Sequence, residues 1–176
     1  MGLQFDEELQ QQLDRVNPQF GDQLRRLEDE FNRETDRGAA LVCAAFLDER
    51  LHETLAAHFV QHKDVDRLFK TDAPLSTFSA RIRIAFALGL ISELEYKQCE
   101  IIRNIRNDFA HKLERSFDEQ RIKDLVSNFS VRMQGNPTDA RGKFIATCLL
   151  LGIMWAARLP DVPRSTLKPG RYGYWE

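Results

Sequence analysis

Between Phe144 and Ala157 the chain carries no charged residue, and its apolar side chains recur at helical spacing on two faces. Phe144, Cys148, Leu151, Trp155 and Leu159 share one side; Ile145, Leu149 and Ile153 share another. A helix that is apolar around most of its circumference has to be covered around most of it, so it is either the centre of a core or part of a subunit contact. The uncharged run falls short of the ~18 residues or more that a bilayer-spanning helix requires. A helical domain built around this segment, from about Thr138 to Leu159, is therefore the expectation.

Five further helices can be drawn, and no segment shows the two-residue alternation of a strand, so the fold class is all-α, a single bundle of about six helices. Gln19 to Arg33 places Phe20, Leu24, Leu27 and Phe31 on one face. Asp36 to about His62 carries a broad apolar band from Val42 to Phe59, and its length predicts a central spine. A polar connector, Lys63 to Pro74, leads to a third helix capped by Ser76 or Thr77 and ending at Gly89. The fourth opens with "SELE", where Ser92 and Glu95 match a capping box, and continues to His111. A short fifth helix spans about Asp118 to Ser127, and Gly135 and Pro137 mark the turn that follows. Residues 1–17 read as a mobile N-terminal segment, 18–160 as the bundle and 161–176 as an irregular C-terminal tail.

With 176 residues, 43% of them hydrophobic and 30% charged, the chain can bury a single core without a cofactor or a disulfide. Cys43, Cys99 and Cys148 are odd in number, far apart and set among apolar neighbours, which reads as buried reduced thiols. The start, "MGLQFDEELQQQ", has no basic stretch followed by an apolar run, so it is not a signal peptide, and a cytoplasmic location is expected. The two apolar sides of the sixth helix predict a homodimer.

The net charge of −2 supplies no long-range attraction for nucleic acid. One stretch, "AFALGLISELEYKQ", has the Ala85 to Gly89 spacing of a helix-turn-helix, but its second helix begins with Glu93 and Glu95 where a DNA reader needs phosphate-binding side chains. Direct, specific binding to duplex DNA is not expected. Metal binding is not expected either. Of His52, His58 and His62, only the last two have the four-residue spacing of a shared ligand pair, and no Glu follows His58 as in a metalloprotease.

The densest polar stretch is "IIRNIRNDFAHK", Ile101 to Lys112. Ile102, Ile105 and Phe109 form its core stripe, and at 100° per residue His111 lies about 200° around from Phe109, away from the core. Arg103, Asn107 and His111 follow one another at four-residue steps, with Arg106 on the flank. A histidine can move protons near neutral pH and a guanidinium can hold a phosphate oxygen, so this ridge could cleave RNA without a metal. The same residues could equally be a solvated face at the negative end of a helix, with Arg106 paired to Asp108 or another acid. Both readings stay open on spacing alone.

Three blocks, "RGAALVCAAFLDERLHETL", "PLSTFSARIRIAFALGLIS" and "EYKQCEIIRNIRNDFAH", resemble the mannitol operon repressor family over about the middle three fifths of the chain. That resemblance implies an all-helical protein without a recognisable DNA-binding motif in the transcriptional control of a sugar-alcohol operon, and together with the balanced charge it leads to the expectation of a regulator that acts mainly through protein contacts, with a protein partner. A second resemblance overlaps it: "RNDFAH" is similar to the Arg-x(4 to 6)-His signature of HEPN-type helical domains. It implies a metal-independent, dimeric endoribonuclease acting on RNA, with His111 as general acid/base, Arg106 as phosphate-stabilising cation and Asn107 as orienting hydrogen-bonder. Inactive HEPN members are binding modules.

Overall fold

The computed structural model describes residues 20–112, 114–130 and 137–166, and side chains from Arg26 onward within them. Among the described residues every regular element is helical. The helices are α1 (Phe20–Arg33), α2 (Asp36–His58), α3 (Lys63–Asp66), α4 (Phe78–Ala87), α5 (Glu93–His111), α6 (Gln120–Ser127) and α7 (Ala140–Arg158). Single 3-10 turns follow α3 at Arg67–Phe69 and α7 at Leu159–Asp161. Residues 1–17, the Gly135 turn and the tail beyond residue 166 lie outside the described residues.

The helix starts are set locally. Thr35 accepts from the Gly38 amide at 3.0 Å, Thr77 from Ala80 at 3.2 Å and Asp139 from Gly142 at 2.9 Å, each satisfying an amide that the helix itself leaves unbonded. Thr77, not Ser76, is the cap of α4. The reciprocal Ser92/Glu95 box is formed, with the Ser92 amide donating to Glu95 Oε2 at 2.7 Å. Gly89 ends the α4 turn at φ +70°, where the Leu90 amide reaches back to the Ala85 carbonyl at 2.9 Å.

One helix end and one connector differ from the sequence expectation. The second helix stops at His58, not His62, because a later segment of the chain takes over its end. The Ser165 amide donates to the His58 carbonyl at 2.6 Å, and His58 Nδ1 donates to the Pro163 carbonyl at 2.6 Å. His62 instead caps the added turn α3, accepting from the Asp64 amide at 3.2 Å. The two histidines thus serve separate backbone tasks.

The core lies where α2, α5 and α7 meet. Leu47, Leu51 and Leu55 of α2, Ile102, Ile105 and Phe109 of α5, and Phe144, Cys148 and Ile153 of α7 are completely buried. Burying each such side chain is worth about 1.5–3 kcal/mol relative to leaving it in water. Phe109, Phe117 and Phe144 stack in sequence, with ring centroids 4.8 and 5.3 Å apart, and tie the loop before α6 to α5 and α7. At Gly152 a β-carbon would fall 2.2 Å from Phe46 Cε1, so the glycine is what lets α7 close on α2.

Both apolar sides of α7 are buried within the chain: Ile145 and Leu149 as well as Phe144, Cys148 and Trp155. Of the two roles that the sequence allows, the structure gives this helix the first, and it removes the argument from α7 to a homodimer. By length and hydropathy Ala140–Asp161 would also pass as a membrane span, but here it is the central core helix. Cys43, Cys99 and Cys148 are free and buried, with burial pushing the Cys99 and Cys148 thiols above their ordinary range.

Candidate functional site

The two ends of α5 use their charged residues in opposite ways. At the start, Glu95 is 5% exposed. Its carboxylate accepts from the Ser92 amide, from Trp155 Nε1 at 3.0 Å and from the Arg158 guanidinium of α7. Burial pushes its pKa up, but the Ser92 amide and Arg158 outweigh that and hold it below the usual carboxylate range. The sequence reading set Glu95 beside Glu93 as a phosphate-repelling surface acid. The structure corrects this: Glu93 is exposed and paired with Lys97 at 2.6 Å, while Glu95 locks α5 to α7.

Leu94, one residue earlier, is 53% exposed. Phe86 at the end of α4, at 41%, and Leu88 in the turn, at 39%, are the other large hydrophobic side chains that the described residues expose. The Phe86 ring rests on Tyr96 with centroids 4.7 Å apart. The segment that superficially resembles a helix-turn-helix therefore presents an apolar surface next to an acid.

Toward its C-terminus α5 carries the sequence-predicted site residues. Arg106 and His111 are exposed and Asn107 is half-buried. Arg103 is not free: it forms two hydrogen bonds with Glu100, at 3.2 and 2.8 Å, and this pairing holds its guanidinium firmly charged. Asp108 is taken by Arg121 of α6 at 2.9 Å, so it is not the partner of Arg106. Arg106 donates to Asn107 Oδ1 at 3.2 Å and has no carboxylate partner among the described residues. His111, the last residue of the helix, makes no side-chain hydrogen bond or ion pair there.

Arg103, Arg106 and Asn107 line a cleft of about 610 Å³ between α5, α2 and the start of α4. Its α2 wall supplies Leu41, Ala44, Ala45 and Asp48, and the α4 side supplies Ser76, Phe78 and Ser79. His111 is not among the lining residues. Asp48 is fixed by the buried Arg81, whose NH1 donates to Oδ1 at 2.8 Å and whose Nε donates to the Leu75 carbonyl at 2.8 Å. Burial raises the Asp48 pKa despite that partner. Sequence reading missed Asp48 and the serines. "PLSTFSAR" shows the hydroxyls, but only folding brings α2 beside them.

Comparison with known proteins gives three results. A model of the mannitol repressor family matches residues 29–168. No curated protein matches the chain. Among solved structures, a chain in the X-ray structure of the MtlR–HPr complex from Escherichia coli is similar, with 17% identity and a TM-score of 0.63 over 76% of this chain and 98% of that one. At that identity the likeness concerns the fold, which is all-helical in both. The family match spans most of the chain, from within α1 to beyond α7, and this chain belongs to the mannitol repressor family.

Proposed function

We propose that this chain is a cytoplasmic regulator of a sugar-alcohol operon that acts by binding a protein partner and does not read duplex DNA on its own. The observation that carries this reading is the apolar surface at the α4–α5 turn. Among the described residues Phe86, Leu88 and Leu94 are the large hydrophobic side chains left exposed, all at the turn and the helix ends beside it, and exposed apolar surface of this kind marks contact sites. The similar solved structure is a complex with HPr. Carried over to this chain, the partner is an HPr-like protein, seated on that turn. A homodimer, no longer carried by the covered α7, could use the same surface, and the two contacts would then compete.

Calorimetric titration of the pure chain with HPr from the same genome should give saturable binding, whereas a gel shift with the upstream region of its operon should give none at sub-micromolar chain. Sequence-dependent shifting of that DNA by the pure protein would contradict the proposal. A chain of net charge −2 has little to offer the many phosphates that tight duplex binding must neutralise.

A second reading is supported by the exposure of Arg106 and His111 and by the absence of any acid holding either among the described residues. In it the chain resembles HEPN-type ribonucleases. His111 moves the proton of the RNA 2′-hydroxyl, Arg106 steadies the phosphate and Asn107 orients it. Single-stranded and structured RNA incubated with the chain in EDTA should then be cleaved, and the His111→Ala variant should leave them intact. No cleavage by wild type removes this reading and leaves the regulator.

A further inference from the structure

The cleft between α2, α4 and α5 shares Arg106 and Asn107 with the ribonuclease reading but lies apart from His111 and from the proposed protein contact. It is a concave site in the volume range of small-molecule pockets, at about 610 Å³. Three features of its lining describe a ligand. First, it holds one uncompensated positive charge: Arg103 is neutralised by Glu100 and Asp48 by Arg81, but Arg106 bonds only the neutral Asn107. Second, it offers neutral hydrogen-bonding groups that nothing else occupies. The hydroxyls of Ser76 and Ser79 make no hydrogen bond among the described residues, whereas that of Thr77 is used in capping. Third, Leu41, Ala44, Ala45 and Phe78 give it an apolar wall suited to the carbon skeleton of a ligand.

We propose that this cleft binds a small hydroxylated organic phosphate, with the phosphate on Arg106 and the serine hydroxyls, and the ligand's own hydroxyls on Asn107 and Asp48. A guanidinium fits a phosphate in a two-pronged way that an ammonium does not, and serine hydroxyls donate to its third oxygen. Asp48 repels the anion end, so it sets the orientation: its remaining acceptor capacity suits only the hydroxylated end. A single cation in a narrow concave site does not suit a polyanion, which is why a small phosphate ester is favoured over a nucleic-acid strand. The inference does not depend on the protein partner, because the apolar surface at the α4–α5 turn contributes no residue to the cleft.

The test is a calorimetric titration of the full chain with glycerol 3-phosphate, glycerol and inorganic phosphate in parallel, repeated with Arg106→Gln, Ser79→Ala and, as a control on the same helix, Lys97→Gln. Glycerol 3-phosphate should bind saturably, and inorganic phosphate and glycerol at least ~10-fold more weakly, since each meets only half the site. Arg106→Gln should weaken the ester by at least ~10-fold and Ser79→Ala by ~3- to 10-fold, with Lys97→Gln unchanged and all three unfolding at the wild-type urea midpoint. Arg106→Lys should restore less than half of the lost affinity, because an ammonium gives up the forked contact. No saturation at tens of millimolar ester, equal binding of inorganic phosphate, or insensitivity to Arg106→Gln would each overturn the assignment. So would a single-stranded RNA that binds through Arg106 while the ester does not, which would hand the residue to the ribonuclease reading. Failure here leaves the HPr titration untouched, so the two proposals fail separately.

Discussion

The first turn of α5 and its last turns both carry charge, and the fold treats them as opposites. At the start, a carboxylate is inside and a leucine is outside: Glu95 is sealed against Trp155 and Arg158, while Leu94 faces solvent. At the end, Arg106 and His111 are outside, Asp108 is largely covered by its pairing with Arg121, and the core stripe of Ile102, Ile105 and Phe109 is inside, as helical phase dictates. A buried acid survives only if its acceptor sites are filled, and Glu95 has a backbone amide, an indole N–H and a guanidinium to fill them. Arg106 and His111 meet no carboxylate among the described residues. The lesson is that a charged residue's role is set by whether a partner elsewhere in the fold meets it, and the residues left unmet are the ones available to a ligand.

The largest effect should come from breaking the sealed end. Glu95→Ala leaves the indole N–H, the Arg158 guanidinium and the Ser92 amide without their acceptor, and urea unfolding should show a loss of about 2–3 kcal/mol, most of it from the buried indole N–H and the lost amide bond, since Arg158 is itself exposed to water. The pH dependence sharpens this. The folded pKa of Glu95 is held below its unfolded value, so its stabilisation is complete above the unfolded carboxylate pKa of about 4.3 and disappears as pH falls through the lower folded value. The stability difference between wild type and Glu95→Gln should therefore be full at pH 7 and shrink on acidification below about pH 4. A difference that grows in acid would contradict the assignment.

Next in size is Trp155→Phe, which keeps most of the ring's packing but removes one donor to Glu95. It should cost about 1–2 kcal/mol in the same measurement, and much less in a Glu95→Ala background, because the acceptor is already gone. The smallest effects belong to the open end. Arg106→Ala and His111→Ala should each leave stability within about 0.5 kcal/mol of wild type, since neither is buried or ion-paired. A loss above 1 kcal/mol for either would mean that the end of α5 is structural too.

What could be read from the sequence follows the same division. The capping box, the Gly89 stop and the core stripe of α5 were legible because each depends on residues within a turn or two. The exposure of Arg106 followed from phase alone. The burial of Glu95 was not legible, because Trp155 and Arg158 lie on another helix far along the chain and nothing in "SELE" announces them. The end of α2 at His58 was hidden for the same reason, being fixed by Pro163 and Ser165. Pattern showed that α7 is apolar on two sides, but which surface covers it was a tertiary question. The cleft was half visible: Arg103, Arg106 and Asn107 came from one helix, whereas Asp48 and Ser79 joined them only through packing.

The exposed leucine beside the buried acid gives the most direct test of a regulator that works through protein contact. Leu94→Asp should be examined in one preparation for two quantities, the urea midpoint and the affinity for HPr measured by calorimetry. At 53% exposure the side chain adds little to the fold, so the midpoint should stay within the error of wild type. An aspartate in the proposed apolar contact should weaken binding of the proposed HPr partner by ~30-fold or more. Unchanged affinity together with a lowered midpoint would contradict the account, placing Leu94 in the fold and the partner somewhere else.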